Sequence, residues 1–182
     1  MSDHIQHLID LSTNVEAAGS AAGALRQWLL ATEVVGDSPD RQGHYVPGPR
    51  WATAVSAPDE NAPFGTVEIH VGRQRYDAGE AWQPLECASC GHSPSIDSVE
   101  DIEAVLEQLF EFGEAWGETG EPTVACEACG KARPLGDWRG ASTAVGNLAV
   151  SFVNWPGPLT DEFVDTVRAR LGVRMLVIDE RL

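Results

Sequence analysis

The chain has 182 residues and a formal net charge of −16. A field of that sign repels phosphate backbones and anionic lipid surfaces, so nucleic acid is a disfavoured partner. No apolar run approaches the ~20 residues of a membrane-spanning helix, and the first residues lack the basic and apolar regions of a secretory signal. We therefore expect a single domain over residues 1–182 in the cytoplasm, where thiols stay reduced.

The N-terminal third predicts two helices, a loop and a pair of strands. A short helix is expected over residues 3–11, and a second begins at Ser20, whose side chain can cap its first turn. Residues 36–50 are rich in glycine, proline and aspartate, which favour a surface loop. The runs 50–56 and 65–72 have extended patterns and predict a long hairpin.

The strongest predicted helix covers residues 98–112. Ser98 followed by Asp101 resembles a capping box. Apolar side chains recur at helical spacing at Ile102, Val105, Leu106, Leu109 and Phe110. Opposite them lies an acidic stripe of six glutamates: Glu100, Glu103, Glu107, Glu111, Glu114 and Glu118. The stripe is either the solvated face of an acidic protein or a surface that recognises a basic partner.

The C-terminal part predicts a strand, a helix and a second strand. The strands are expected over residues 147–155 and 173–180, and the helix is capped by Thr160 and stopped by Gly172. These connection lengths are typical of a β-α-β crossover between parallel strands. The predicted fold class is therefore α+β, with a small mixed sheet of about four strands covered by helices.

All the cysteines of the chain occur in two Cys-x-x-Cys-Gly units, "ECASCGH" (86–92) and "ACEACGK" (125–131). The tight turn between paired cysteines places both sulfurs on one side, and the following glycine tolerates the backbone conformation that this requires. Two such pairs can complete a tetrahedron around one cation. The candidate metal ligands are Cys87, Cys90, Cys126 and Cys129.

The two units resemble the knuckles of zinc-ribbon and rubredoxin-type proteins. The resemblance implies a closed, structural zinc site, and the same ligands are compatible with iron. Because 35 residues separate Cys90 from Cys126, the predicted zinc-binding module at 83–139 carries the helix 98–112 as an insert. We expect three tryptophans, Trp82, Trp116 and Trp138, to form a small apolar cluster that joins the module to the sheet.

Three classes of function remain open. The first is a zinc-stabilised protein-binding or adaptor protein, which is favoured because no Ser-hydrolase elbow, phosphate-binding loop or dinucleotide fingerprint is present. The second is an enzyme with a structural zinc and a site near His70, where Thr66 and Glu68 share one strand face with that histidine. The third is a redox protein that uses its Cys-x-x-Cys thiols.

Overall fold

The computed structural model describes residues 3–37, 44–58, 65–172 and 174–182. Its α-helices are α1 (Val15–Ala31), α2 (Val99–Thr119) and α3 (Asp161–Leu171). Its strands are β1 (His4–Asp10), β2 (Val35–Asp37), β3 (His44–Pro47), β4 (Thr66–Asp77), β5 (Thr123–Ala125), β6 (Ala132–Pro134), β7 (Thr143–Val153) and β8 (Met175–Arg181). Short 3-10 helices cover Trp51–Ala54 and Leu135–Asp137. None of the described helices is long and apolar enough to cross a membrane.

Six strands form one curled sheet in the order β2-β3-β4-β7-β1-β8, and all neighbouring strands in it are antiparallel. The predicted mixed sheet is therefore wrong. β7 and β8 do run parallel to each other on either side of α3, but β1 lies between them and pairs with both. Because β1 runs against both neighbours, antiparallel ladders replace the parallel one expected from the crossover.

Residues 4–10 form a strand in place of the helix predicted over 3–11. Leu8 and Ile9 are adjacent and both fully buried, so both faces of β1 are covered. When both faces of a short segment are buried, its apolar residues do not alternate with polar ones, and their spacing cannot distinguish a strand from a helix. The prediction failed for that reason.

The predicted hairpin over 50–72 is also wrong. Its first half contains a 3-10 helix, and β4 pairs with β3 and β7 instead. β2 and β3 arise at the two ends of the predicted loop 36–50, whose residues 38–43 lie outside the described ones. Residues 59–64 of the predicted hairpin connection lie outside them as well.

The helices agree better with the sequence patterns. α1 begins earlier than the predicted Ser20, because the side chain of Asn14 caps it by accepting from the Ala17 amide at 2.9 Å. The capping box at the start of α2 is confirmed: Ser98 and Asp101 accept from each other's backbone amides. The predicted cap of α3 is confirmed too.

The sheet has a hydrophobic core on each face. α1 and α3 cover one core, and α2 with the cysteine-containing segment covers the other. β7 contributes to both, with Phe152 in the first core and Ala149 in the second. Two of the metal-ligand candidates, Cys87 and Cys126, therefore belong to the second core and not to an appended tail.

Candidate metal centre

The two Cys-x-x-Cys-Gly units have the same backbone hydrogen bonds. In each, the amide of the first cysteine donates to the carbonyl five residues later, and the glycine amide donates back to the carbonyl of the first cysteine. The donor–acceptor distances are 2.8 Å for Cys87–His92, 2.8 Å for Gly91–Cys87, 3.0 Å for Cys126–Lys131 and 2.8 Å for Gly130–Cys126. The two units are thus repeats of one turn.

Gly91 and Gly130 permit this turn through their backbone and not through their size. Their φ angles are +72° and +68°, in the left-handed region that side chains disfavour. A Cβ atom at either position would meet no atom within 4 Å. The requirement for glycine is therefore conformational.

The four sulfurs lie within 4.8 Å of one another. Sγ of Cys87 is 3.8 Å from Sγ of Cys129, and Sγ of Cys90 is 3.7 Å from Sγ of Cys126. With metal–sulfur bonds of about 2.3 Å, the edge of a regular tetrahedron is about 3.8 Å. The prediction that the four cysteines come together is confirmed, and their spacing fits a single tetrahedral cation.

Each knuckle has one buried and one exposed cysteine. Cys87 and Cys126 are buried, whereas Cys90 and Cys129 are exposed. The sulfurs also differ in acidity. The backbone N–H of Ser89 lowers the pKa of Cys87 to about 6.

The pKa of Cys90 moves in the opposite direction. The N–H of His92 lowers it, but desolvation and the neighbouring sulfurs, foremost that of Cys129, raise it to about 12. Four crowded sulfurs therefore do not all ionise at neutral pH, and a divalent cation would replace the protons that remain.

Polar contacts link the two knuckles to each other and to the chain around them. Nε of Arg133 donates to Oγ of Ser89 at 3.1 Å and so crosses from the second knuckle to the first. Before the first knuckle, Glu86 and Arg139 pair through their backbones and through a 2.6 Å ion pair. The guanidinium of Arg133 thus contacts the first knuckle directly, as a group that offsets the negative charge of four thiolates would.

The second knuckle is the turn of a two-stranded antiparallel sheet, β5 with β6. Behind it, Trp116 and Trp138 are buried in one core cluster with Cys87 and Cys126, and Trp82 packs against that cluster. The prediction that these tryptophans pack in one apolar cluster is confirmed. The cluster also contains the two buried cysteines.

Two arginines that the sequence analysis missed hold this layer in place. Arg174, just before β8, donates to both carboxylate oxygens of Glu121 at 2.7 Å and to Asp137 at 2.9 Å. The hydrogen-bonded Glu121 raises the pKa of Arg174 above its ordinary value. Arg73 donates to the carbonyls of Trp116 and, at 3.0 Å, of Gly117 near the end of α2. No local pattern identifies these contacts, because they join residues 37 to 53 positions apart.

A groove of about 480 Å³ lies between α2 and the end of β4. Its apolar wall consists of Trp82, Leu106, Leu109 and Phe110, and its polar wall of Arg75, Asp77, Ser142 and Thr143. Leu106 and Phe110 are 41% and 56% exposed, although both belong to the apolar stripe of the predicted helix. The Arg75 guanidinium lies 5.2 Å from the centre of the Phe110 ring. This groove is the largest departure from the expected burial of α2.

The strand face near His70 is a row of polar side chains. Glu68 pairs across the sheet with His44 on β3 and with Ser151 on β7, and its carboxylate lies 3.1 Å from Nδ1 of His44. Thr66 is partly buried at the start of the same strand. Burial lowers the pKa of His70, while the charge of Glu68 acts against this shift.

His7 extends this row. Its Nδ1 lies 2.7 Å from Oγ of Ser151, and its Nε2 lies 2.7 Å from Oε2 of Glu180. In hydrolases, a serine, a histidine and a carboxylate in this order let the histidine take the proton of the serine hydroxyl while the carboxylate orients the ring. However, Ser151 is only 1% exposed and His7 only 7% exposed, so an external carbonyl does not reach the hydroxyl. The contacts fit a buried network whose polar groups satisfy one another.

No protein-family model, curated protein or solved structure matches the chain significantly.

Proposed function

We propose that this is a protein-binding protein whose fold is stabilised by one zinc ion on Cys87, Cys90, Cys126 and Cys129. A ligand set of four thiolates leaves no position for water or substrate, so the zinc role is structural. The knuckle at the β5–β6 turn supports the likeness of this segment to a zinc ribbon. The binding role is supported by a separate surface on α2.

The sulfur geometry favours a metal over redox exchange. A redox pair needs two cysteines close together, with one of them made reactive by its surroundings. Here the close contacts join different knuckles, and all four sulfurs form one compact group. Iron would use the same ligands, so elemental analysis decides between the two metals.

The observation that supports the binding role is that two apolar side chains of α2, Leu106 and Phe110, are exposed. At about 100° per residue, Leu106 and Phe110 fall between the buried stripe and the acidic stripe of the helix. All six glutamates of the acidic stripe are exposed. An exposed apolar groove rimmed by charge marks an interaction site. Its charge complements a basic amphipathic segment, the kind of peptide that docks into a groove by its apolar side.

The test uses a fluorescein-labelled amphipathic peptide composed of leucine and lysine, with a scrambled peptide of the same composition as reference. Binding to the full-length protein is followed by fluorescence anisotropy. We compare Phe110→Asp with Val15→Asp, because Val15 on α1 is similarly exposed, at 63%. Each variant adds one negative charge to the protein. If the basic peptide is held only by non-specific charge attraction, it should therefore bind both variants slightly more tightly.

Docking in the α2 groove predicts a different result. Phe110→Asp should weaken binding about 10-fold despite its added charge, since an apolar contact is lost, and Val15→Asp should not. Equal binding by the two variants, or equal binding of the scrambled peptide, would contradict the proposal. The alternative of an enzyme near His70 stays a prediction, and the burial of Ser151 speaks against a serine nucleophile there.

A further inference from the structure

Among the described residues, β8 is an edge strand of the curled sheet and pairs with a neighbouring strand, β1, on one side only. At its end, Arg181 donates to the Ala78 carbonyl at 3.1 Å and accepts from the Glu80 amide at 3.0 Å. The segment after β4 therefore meets β8 there, and the curled sheet almost closes on itself. Between Met175 and Asp179 of β8, the described residues form no such bonds, and we call this gap the seam.

Backbone groups of β8 face this seam. In a strand, alternate residues turn their N–H and C=O groups toward the same edge. Since Arg181 bonds outward, Met175, Val177 and Asp179 also turn outward, away from β1. The open stretch from Met175 to Asp179 is about 14 Å long. It contains neither lysine nor proline, the residues that usually block an edge.

A cleft of about 370 Å³ occupies the seam. Residues 176–179 of β8 form one wall, and residues 138–142 with Ala78, Ala81 and Gln83 form the rest. Two lining side chains, Trp138 and Ser142, are more than nine-tenths buried. Within the described part of the chain, neither Nε1 of Trp138 nor Oγ of Ser142 has a hydrogen-bond partner.

We propose that the seam binds an extended polypeptide segment of a partner protein, which adds to β8 as a further strand. Its backbone would pair with the outward groups of Val177 and Asp179, and its carbonyls would accept from Trp138 Nε1–H and Ser142 Oγ–H. Buried donors without an acceptor are costly, and strand addition supplies acceptors in a row. This surface is distinct from the α2 groove, with which it shares only Ala78 and Ser142.

The outward backbone groups of β8 select an extended chain, because a strand presents N–H and C=O groups at the same repeat as Val177 and Asp179. A second copy would bring a whole sheet to the β8 edge, as edge-to-edge pairing requires. Residues 138–142 line the same cleft as residues 176–179 of β8, so the occupant contacts both segments.

The experiment selects a phage-displayed library of random linear peptides on the full-length, reduced protein. Enriched peptides are synthesised, their binding is measured by anisotropy, and amide hydrogen exchange of the protein is followed by NMR. Val177 and Asp179 should become protected when peptide binds. The inward amides of Leu176 and Ile178, already paired with β1, serve as the internal control and should not change.

Three variants test the contacts. Val177→Pro removes an outward N–H, which an edge strand tolerates, and should weaken binding at least 10-fold. Trp138→Phe keeps the ring but removes the donor and should weaken binding about 3- to 10-fold. Phe110→Asp in the α2 groove should leave this binding unchanged, which separates the seam from the function proposed above. Thermal melting verifies that each variant is folded.

Several results would overturn the proposal. One is that no peptide is enriched, which would mean that water alone occupies the cleft. Another is that enriched peptides bind Val177→Pro and Trp138→Phe as tightly as the parent protein. A third is that the protein is dimeric in solution and Val177→Pro makes it monomeric, which would assign the edge to a second copy.

Discussion

The Sγ atoms of Cys87 and Cys129 lie 3.8 Å apart, although the residues are 42 positions apart in the chain. The other close contact, Cys90 with Cys126, also joins the two knuckles. A cation held by these sulfurs would connect both ends of the segment that contains α2. Losing one ligand should therefore loosen the whole layer over the sheet and not only one turn.

We expect Cys87→Ser and Cys126→Ser to lose the metal, lower the melting temperature and reduce solubility. Metal-binding free energy in such sites is about 10–16 kcal/mol and acts as folding free energy. Tryptophan fluorescence should report the change, because Trp116 and Trp138 pack with these cysteines. Ala88→Ser, at an exposed position in the same knuckle, is the control and should behave like the parent. Unchanged melting of the cysteine variants would favour the redox alternative.

Elemental analysis of the reduced protein should find one zinc per chain. Thiol-reactive dye should label few cysteines until a chelator strips the metal, and four afterwards, because thiolates bound to zinc are protected. Iron in place of zinc would change the metal assignment but keep the site. No metal, with two or more thiols reactive at once, would contradict the site itself.

Gly91→Ala and Gly130→Ala should each destabilise the protein by about 1–2 kcal/mol, the cost of a left-handed backbone for an L-residue. Asparagine at the same positions should cost less. Gly19→Ala is the matched control: it lies inside α1 with open space around it, so it should stabilise by about 0.5–1 kcal/mol. Chemical denaturation of the five variants measures these changes. Equal effects at Gly19 and Gly91 would rule out the conformational explanation.

Zinc binding should release protons and become tighter as pH rises. Below its pKa a thiol is protonated, so metal must displace the proton; above it the thiolate is ready to bind. With pKa values of about 6 for Cys87 and about 12 for Cys90, Cys87 is mostly ionised at pH 7.5 and Cys90 is not. Calorimetric titrations in buffers of different ionisation enthalpy count the released protons. A binding constant independent of pH between 6 and 9 would contradict thiolate ligation.

Arg174→Met should destabilise the protein by about 1–3 kcal/mol, since it removes both guanidinium bonds of the largely buried Glu121 carboxylate, to which the Gly136 amide also donates. Arg174→Lys should recover only part of this, because lysine cannot form the two parallel bonds. Arg168→Met is the control: Arg168 pairs with the exposed Asp165 within α3, where such pairs contribute little. Denaturant titration compares the three. Equal losses for Arg174→Met and Arg168→Met would show that the contact does not hold the layer.

Local signals predicted the features that depend on local chemistry. The cysteine knuckles, the capping box of α2 and the cap of α3 each need only a few neighbouring residues, and all three are present. The tryptophan cluster was also predictable, because its members lie close to the cysteines in the chain.

The order of strands in the sheet and the proposed binding surfaces depend on contacts between residues that are distant in the chain. Nothing in residues 4–10 indicates that they pair with the last strand, and the two-sided burial of Leu8 and Ile9 hides the strand period. Periodicity placed Leu106 and Phe110 in the apolar stripe of α2, but it cannot show how far the sheet extends beneath a helix, and both side chains are exposed. Likewise, the network around His7 joins residues about 144 and 173 positions apart.

The position of β1 has a consequence for how the chain is made. β1 (residues 4–10) is synthesised well before its partners β7 and β8. The ladder that joins the three strands cannot form until residues 143–181 have been made, and pairing of such high contact order is slow. Until then Ile5, Leu8 and Ile9 of β1 lack the strands between which they pack. The cysteine segment contains its own ligands and can assemble earlier, so zinc supply during translation should affect the yield of folded protein.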